Sequence, residues 1–409
     1  MKIGYVMQLG VDIRSHPFSG QANHVRKVVE ELSLLGHEVR IIEKLGSVVW
    51  KTDNLVDFSP RSAGWLERNP FRLFESSVRR VQHDLKLPYL ALFESLRFAS
   101  ICQIELAGYD LAYERFSWMG YGGSLAAGRL KIPHVIEDNG DHLADLESKG
   151  IAPHGLQRRL SLRLMGRAVR RASHIVSTGD GWRAQFTNRW GISSQRVTTV
   201  ENGSELVKLL KREQLRSFCS AANPGSIVSL VYVGGFDPWH GISVLLHAIL
   251  KARNAGAPVQ LVLIGSGIGL EEAKQLATDL GLTDAVRFTG QLSHQEFAPI
   301  LAGADIGVSP YCGWKEYSGL KLFDYKAAGL ATIASGENGQ PATLKHQKTA
   351  WIVPPCDEDA LADAILRLSA NGELRRQIGR DARAEAEKLH GWDHTARQLE
   401  HIFYSVLKQ

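Results

Sequence analysis

Residues 309–335 read SPYCGWKEYSGLKLFDYKAAGLATIAS. DIGVSP closes a strand and a polar loop follows. Leu320, Phe323, Ala327 and Ala328 then recur at helical spacing through GLKLFDYKAAG, and the apolar ATIAS opens another strand. Ser318 is read as the N-cap of this helix and Gly329 as its C′ stop. The amides of Ser318, Gly319 and Leu320 and the positive end of the helix dipole suit an anion such as a phosphate, which Gly319 lets approach the backbone closely. Lys321 adds a full positive charge. Glu316 lies just before the helix and Asp324 one turn inside it, placing carboxylates, good ligands for sugar hydroxyls, on either side of that spot. The alternative is an amphipathic crossover helix with two solvated acids.

Outward from this stretch, strand-like and helix-like runs alternate. In the first half the expected strands are 2–7, 38–42, 110–114, 132–137, 174–178 and 196–200; in the second, 226–234, 259–265, 285–288, 305–309, 332–335 and 351–353. Alternating βα units of this kind predict an α/β protein with right-handed crossovers and one parallel sheet per half. A polar, basic helix (ELVKLLKREQLRSF) and the turn-rich AANPGS separate the two sets. The segment from Trp65 to Leu106 is expected to be an all-helical insertion broken by Pro70 and Pro88. Its apolar, basic and aromatic mixture suits helices packed on the sheet, with contact to lipid headgroups or cover over an acceptor as alternatives. RRLSLRLMGRAVRR (158–171) is a solvated helix face or a membrane-surface patch.

At 409 residues the chain calls for two domains of ~200 residues. With 44% hydrophobic and 22% charged residues it is globular, and a net charge of +5 permits an anionic substrate without arguing for nucleic acid. Cys102, Cys219, Cys312 and Cys356 read as isolated thiols, which fits a reducing cytosol and gives neither a disulfide framework nor a zinc site. MKIGYVMQLG enters a strand with no leader pattern, and no apolar run approaches the ~20 residues of a membrane span. The expected location is cytoplasmic, or peripheral at the inner face of the membrane.

The string YSGLKLFDYKAAG, with seven residues between Glu316 and Asp324, resembles the Glu-x7-Glu signature of the family 4 retaining glycosyltransferases. The resemblance implies a GT-B fold: two doubly wound Rossmann-like domains facing a cleft, with the last helix crossing back to the first domain. It places an acceptor-side domain at 1–205 with the insertion at about 63–106, a nucleotide-sugar domain at 206–392, and the returning helix at 393–409. It also implies that Glu316 touches the donor sugar, that Asp324, one methylene shorter than the usual Glu, holds the ribose, and that the Ser318–Leu320 amides take the diphosphate. VGGFDPWHG (233–241) resembles the family turn in which an Arg and a Lys clamp the diphosphate, but Gly235 stands in place of that Arg and His240 in place of that Lys. His240 then serves as a neutral donor or as a cation raised by the diphosphate, with Lys321 supplying the missing charge; otherwise the segment is a capped turn with Trp239 in the core.

LIGSGIG (263–269) lacks full dinucleotide-binding spacing. It resembles the family turn lining the donor pocket, so Phe236 and Gly267 are expected on the donor, and Leu292, ending FTGQL (288–292), near the base unless that loop is a plain surface turn. In the first half, Gly20, Gln21 and His24 of FSGQANHVRKVVEEL, Glu114 and Arg115 of YERFS, and Glu137 and Asn139 of IEDNGD resemble the sugar or acceptor side. Helix-surface packing is the alternative for His24, and a salt bridge between Glu114 and an Arg the alternative for YERFS. Asp357, Glu358 and Asp359 read as helix-capping acids, and no metal or other cofactor is expected.

The function implied is transfer of a sugar from a nucleoside diphosphate sugar, the co-substrate, to a glycan, lipid-linked or small-molecule acceptor with retention of configuration. An epimerase of related fold and a non-catalytic binding protein are the alternatives.

Overall fold

Each run marked as a strand forms one, with ends shifted by a residue or a few. The computed structural model describes residues 1–15, 19–218, 226–313, 319–339 and 341–408. It divides into two units, 1–200 with 396–409, and 201–395.

The first unit holds an eight-stranded sheet: β1 (Lys2–Met7), β2 (Glu38–Leu45), β3 (Val48–Thr52), β4 (Ser59–Arg61), β5 (Leu111–Arg115), β6 (His134–Asp138), β7 (His174–Ser177) and β8 (Val197–Thr199), in the order β4-β3-β2-β1-β5-β6-β7-β8. Its helices are α1 (Gly20–Leu34), α2 (Asn69–Asp84), α3 (Leu92–Glu105), α4 (Gly122–Leu130), α5 (His142–Ser148), α6 (Gly155–Arg171) and α7 (Asp180–Trp190). The expectation of a purely parallel sheet is corrected here. β3 folds back antiparallel on β2 with Leu45 opposite Val48, and β4 pairs antiparallel with β3. A two-residue turn at Gly46 and Ser47 needs no crossover helix, so this edge escaped a reading built on βα alternation.

The second unit holds a parallel six-stranded sheet: β9 (Val228–Val233), β10 (Val259–Ile264), β11 (Val286–Gly290), β12 (Ile306–Ser309), β13 (Ala331–Ser335) and β14 (Ala350–Val353), in the order β11-β10-β9-β12-β13-β14. Its helices are α8 (Leu206–Leu209), α9 (Ile242–Asn254), α10 (Leu270–Asp279), α11 (His294–Ala302), α12 (Leu320–Ala327), α13 (Glu358–Ala370) and α14 (Gly372–Leu389). Strand side chains alternate between two cores. Leu230 and Tyr232 join α9 and α13 on one face, while Val231 meets α11 and Tyr325 on the other. Both sheets reverse their strand order beside the first strand, between β1 and β5 and between β9 and β12, and the carboxyl ends at such a reversal are where α/β sheets bind ligands.

The helix expected over 205–218 is broken. Only α8 is α-helical, with short 3-10 turns at Arg212–Gln214 and Arg216–Phe218. Leu210 and Leu215 take extended backbone and are buried beside Leu206 and Tyr325, and Arg383 donates to the Val207 and Leu210 carbonyls, so packing overrides helix propensity. The reading of four isolated thiols is corrected too. Cys312 and Cys356 form a disulfide, their Cα atoms 4.7 Å apart across 44 residues of chain, a proximity created by the sheet and invisible in the spacing.

The last helix, α15 (Trp392–Leu407), starts in the second unit, and its residues from Ala396 onward belong to the first. There Phe403 packs edge-on against Tyr113 and Glu400 bonds His37. The ends of the second unit lie side by side: the Ser204 amide donates to the His390 carbonyl at 2.8 Å, and the Thr395 hydroxyl to the Glu201 carbonyl at 2.9 Å.

Candidate functional site

At the strand-order reversal of the second unit, β9 runs into the turn 234–241 and β12 into 310–313, while α12 begins at Leu320 with Gly319 as its N-cap. Gly329, at φ +63°, follows the helix as its left-handed stop. Glu316 and Ser318 lie outside the described residues. α12 is buried almost all round, so the reading of a solvated acid is corrected for Asp324, which is 5% exposed; Lys321 is 7% exposed.

A buried ammonium needs compensation. Lys321 Nζ lies 4.4 Å from the centre of the Tyr311 ring and 5.1 Å from that of Tyr232, and donates to the Tyr311 hydroxyl at 3.4 Å. Tyr232 in turn donates to the Gly235 carbonyl at 2.5 Å, fixing the turn. Sequence reasoning missed both tyrosines: Tyr232 lies in a strand, where a ring reads as core, and Tyr311 in the loop after β12, where nothing local ties it to Lys321.

His240 is tucked into the same turn. Its Nδ1 accepts from the Asp237 amide at 3.1 Å and its ring stands edge-on to Tyr311 at 5.1 Å. Burial, and after it the Lys321 charge, push the imidazole down to about 3. It is therefore neutral, and with Nδ1 accepting, its proton is on Nε2. The charged form considered for His240 is not the state of the free protein. A Cβ on Gly235 would stand 2.8 Å from His240 Cε1, so the two departures from the family turn are coupled: Gly235 leaves room for the imidazole. Trp239 is half-buried rather than a core residue.

The turn is laced to its neighbours through backbone. Phe236 N donates to Ser266 O at 3.2 Å and Gly269 N to Phe236 O at 2.8 Å, and a Cβ on Gly267 would press on the Phe236 amide. Gly241, at φ +69°, would drive a Cβ into the Pro310 carbonyl, and Cys312 N donates to Trp239 O at 2.9 Å. The side chains of Phe236, packed on Tyr232 and Phe288, and of Leu292, half-buried against the core of Val231 and Leu301, serve packing. Asp324 Oδ1 accepts from the Ser204 hydroxyl at 2.6 Å, and Oδ2 lies 3.7 Å from His294 Nε2, two partners the sequence did not point to. Asp357 caps α13 by accepting from the Ala360 amide.

The first unit gathers its candidates differently. Ser19 caps α1 by accepting from Ala22 N at 3.1 Å, leaving Gly20 and Gln21 exposed on its first turn. His24 packs against its own sheet, as the alternative for it had it, with Nε2 2.7 Å from Glu137 Oε1 of β6. Glu137 also accepts from Tyr5 at 2.5 Å, Tyr113 at 2.8 Å and Arg115 at 3.5 Å. Burial pushes this carboxyl up, but His24, Arg115 and the Tyr5 hydroxyl together hold it well below the usual carboxylate range. Glu114 pairs with His134 Nε2 at 2.7 Å and accepts from Gly123 N at 3.2 Å, so its partner is a histidine and not the Arg weighed from the sequence. Both glutamates are internal struts with occupied oxygens.

The polar groups left over sit one step further along β6. Among the described residues, Asp138 Oδ1, Asn139 Nδ2 and His142 Nε2 are buried without a hydrogen-bond partner. Burial pushes the Asp138 carboxyl well above its usual range and His142 down to about 4. Of these residues only Asn139 was picked out from the sequence. IEDNGDH carries the others, but reading Glu137 as the contact hid them.

Among the described residues no group of His, Cys, Asp or Glu is arranged to hold a metal ion, and no helix is long and apolar enough to cross a membrane. Comparison with known proteins matches residues 221–385 to the model described as "Glycosyl transferases group 1" and residues 19–203 to the "Glycosyl transferase 4-like domain". A D-inositol 3-phosphate glycosyltransferase of Saccharomonospora viridis is 26% identical over 310 residues, covering 73% of this chain and 70% of that protein. A phosphatidyl-myo-inositol mannosyltransferase of Mycobacterium leprae is 29% identical over 227 residues, covering 54% and 58%. Sucrose-phosphate synthase from Thermosynechococcus elongatus shares the fold with a TM-score of 0.71 at 20% identity over the full length of both chains. Anabaena HepE in complex with UDP does so with a TM-score of 0.67 at 18% identity, over 99% of this chain and all of that one.

Proposed function

This chain belongs to the family 4 glycosyltransferases and has their GT-B fold of two Rossmann-like domains, and from that premise we propose that it transfers a sugar from a nucleoside diphosphate sugar to a polyol hydroxyl with retention of configuration. The observation that carries the donor half is the buried Lys321 at the first turn of α12, held between Tyr311 and Tyr232 beside a neutral His240. Breaking the glycosidic bond leaves negative charge on the diphosphate and an oxocarbenium-like sugar. A preorganised ammonium, helix-end amides and the His240 Nε2 proton stabilise that leaving group where water is excluded. Asp324 has the reach to take ribose hydroxyls, and Glu316 is assigned the sugar.

For the acceptor, the atoms left without a partner, Asp138 Oδ1, Asn139 Nδ2 and His142 Nε2, suit a hydroxyl-rich molecule, and the inositol-based names of the relatives favour a cyclitol or its phosphate. Tight UDP binding would agree with the HepE complex. The test is release of nucleoside diphosphate from UDP-, GDP-, ADP- and TDP-sugars, each with and without inositol phosphate. Acceptor-dependent release with a glycosylated product supports the proposal; acceptor-independent conversion of the donor points to an epimerase, and binding without release to a non-catalytic protein.

A further inference from the structure

An amphipathic helix on a soluble protein ordinarily buries its apolar face and shows its polar one. α2 does the reverse. Past Phe71, which packs on this unit's core, its inward side is charged: Glu75, the buried residue of the helix, pairs with Arg79 and Arg97, Arg79 reaches Glu94, and Gln82 donates to the Pro88 carbonyl. Its apolar residues Phe74, Val78 and Val81, at helical spacing, and Leu85 just past its end face solvent, with Phe74 58%, Val81 53% and Leu85 65% exposed. Leu87 and Leu92 continue the exposed surface through the following loop. The helix is thus fastened by ion pairs and by Phe71, whose ring and that of Phe74 meet Phe93, while the stripe from Phe74 to Leu85 keeps more than a third of each side chain in water.

The charges around the stripe are predominantly positive. Arg68, Arg72, Arg80 and Lys86 are exposed, and among the described residues none has an ion-pair partner; the one exposed acid of the helix is Asp84, beside His83. The next basic element starts at the same place, since Gln157 in the first turn of α6 donates to the Tyr89 carbonyl at 2.5 Å. Along α6, Arg159, Arg163, Arg167 and Arg170 fall on one exposed stripe, opposite the buried Met165 and Val169, and among the described residues they too have no ion-pair partner.

We propose that α2 and the loop after it are a docking surface for an anionic lipid bilayer, with the apolar stripe entering the headgroup boundary and the arginines of α2 and α6 holding the lipid phosphates. An apolar strip one helix wide, bordered by unpaired arginines, matches the demands of lying in a membrane interface. It is independent of the reaction assigned above.

The test is co-sedimentation of the full chain with vesicles of phosphatidylcholine alone and of phosphatidylcholine with phosphatidylglycerol. The wild type is expected to pellet with the anionic vesicles only and to be released by high salt. Phe74→Asp with Val81→Asp should lower the partition coefficient at least ~10-fold, and Arg163→Glu with Arg167→Glu about as much, since each arginine near an anionic surface contributes about fivefold. Leu85→Ser with Leu87→Ser, outside the helix, repeats the apolar test if the first variant misfolds by circular dichroism. Failure of the wild type to bind, or equal binding by the stripe variants, overturns the proposal. So does a wild-type dimer in light scattering that the stripe variants convert to monomer, which would make the occupant a second copy of the chain.

Discussion

Lys321 and Tyr311 form a cation–π pair, with Nζ 4.4 Å from the ring centre and a hydrogen bond to the hydroxyl of the same tyrosine. The ring makes it possible to keep an ammonium almost fully buried before any phosphate arrives. Tyr311→Leu is expected to weaken nucleoside diphosphate binding by about 1 kcal/mol, the scale of a partly desolvated cation–π contact, and Tyr311→Phe by less. Calorimetric Kd values decide this, and equal losses in both variants would move the effect from the ring to the hydroxyl.

His240 carries the pH dependence. Its folded pKa of about 3 lies below the ordinary histidine value, so the stability tied to its neutral form is complete above pH ~6.5 and is lost as pH falls toward 3. Binding of diphosphate at pH 7 should take up almost no proton, and His240→Gln should keep affinity while His240→Ala loses about 1 kcal/mol, one neutral hydrogen bond. Calorimetry in two buffers of different ionisation enthalpy measures the proton count; uptake of a whole proton would mean that the ligand charges the imidazole.

Asp324 is held by Ser204 before any nucleotide binds. Asp324→Ala should therefore weaken nucleoside diphosphate binding by about 1–3 kcal/mol, the range for a charged hydrogen bond, whereas Ser204→Ala should have a smaller effect. A 2′,3′-dideoxy nucleotide binding the wild type at full strength would take the ribose out of this account.

Glu137 is a structural hub of the first unit. Glu137→Ala leaves His24, Tyr5, Tyr113 and Arg115 around a missing carboxylate, and breaking such a buried pair costs about 3–5 kcal/mol. Thermal unfolding should show the loss. A variant with unchanged stability but no activity would return Glu137 to the ligand.

Reduction of the Cys312–Cys356 disulfide opens a 44-residue loop, which the chain-entropy scale sets at about 3–4 kcal/mol. Cys356→Ser should lower the unfolding midpoint and also the donor affinity, because Cys312 is bonded to the turn carrying His240. A drop in midpoint with unchanged nucleotide Kd would confine the disulfide to stability.

What the sequence revealed follows from the range of the interactions concerned. The alternation of strands and helices and the position of α12 between β12 and β13 are local, and they were legible. The antiparallel edge at Val48–Thr52 is local as well, but its two-residue turn falls outside a reading built on βα alternation. The Cys312–Cys356 pair and the approach of His24 to Glu137 depend on residues brought together over long stretches of chain, so spacing alone could not show them. The site was misread for a related reason. Glu137 at the end of β6 has the chemistry of a sugar ligand, and only its four partners reveal that its oxygens are already engaged, while the neighbouring Asp138 has an oxygen to spare.

The side-by-side ends of the second unit, with Ser204 bonded to His390 and Thr395 to Glu201, make residues 201–395 a cassette. Its entry and exit strands share one doorway, so the segment can be cut out or exchanged for that of a relative at two adjacent joints, without rethreading the rest of the chain. Evolution gains the same freedom: one unit can be replaced while the other keeps its own core, and new pairings of the two can arise by recombination at a single spot on the molecule.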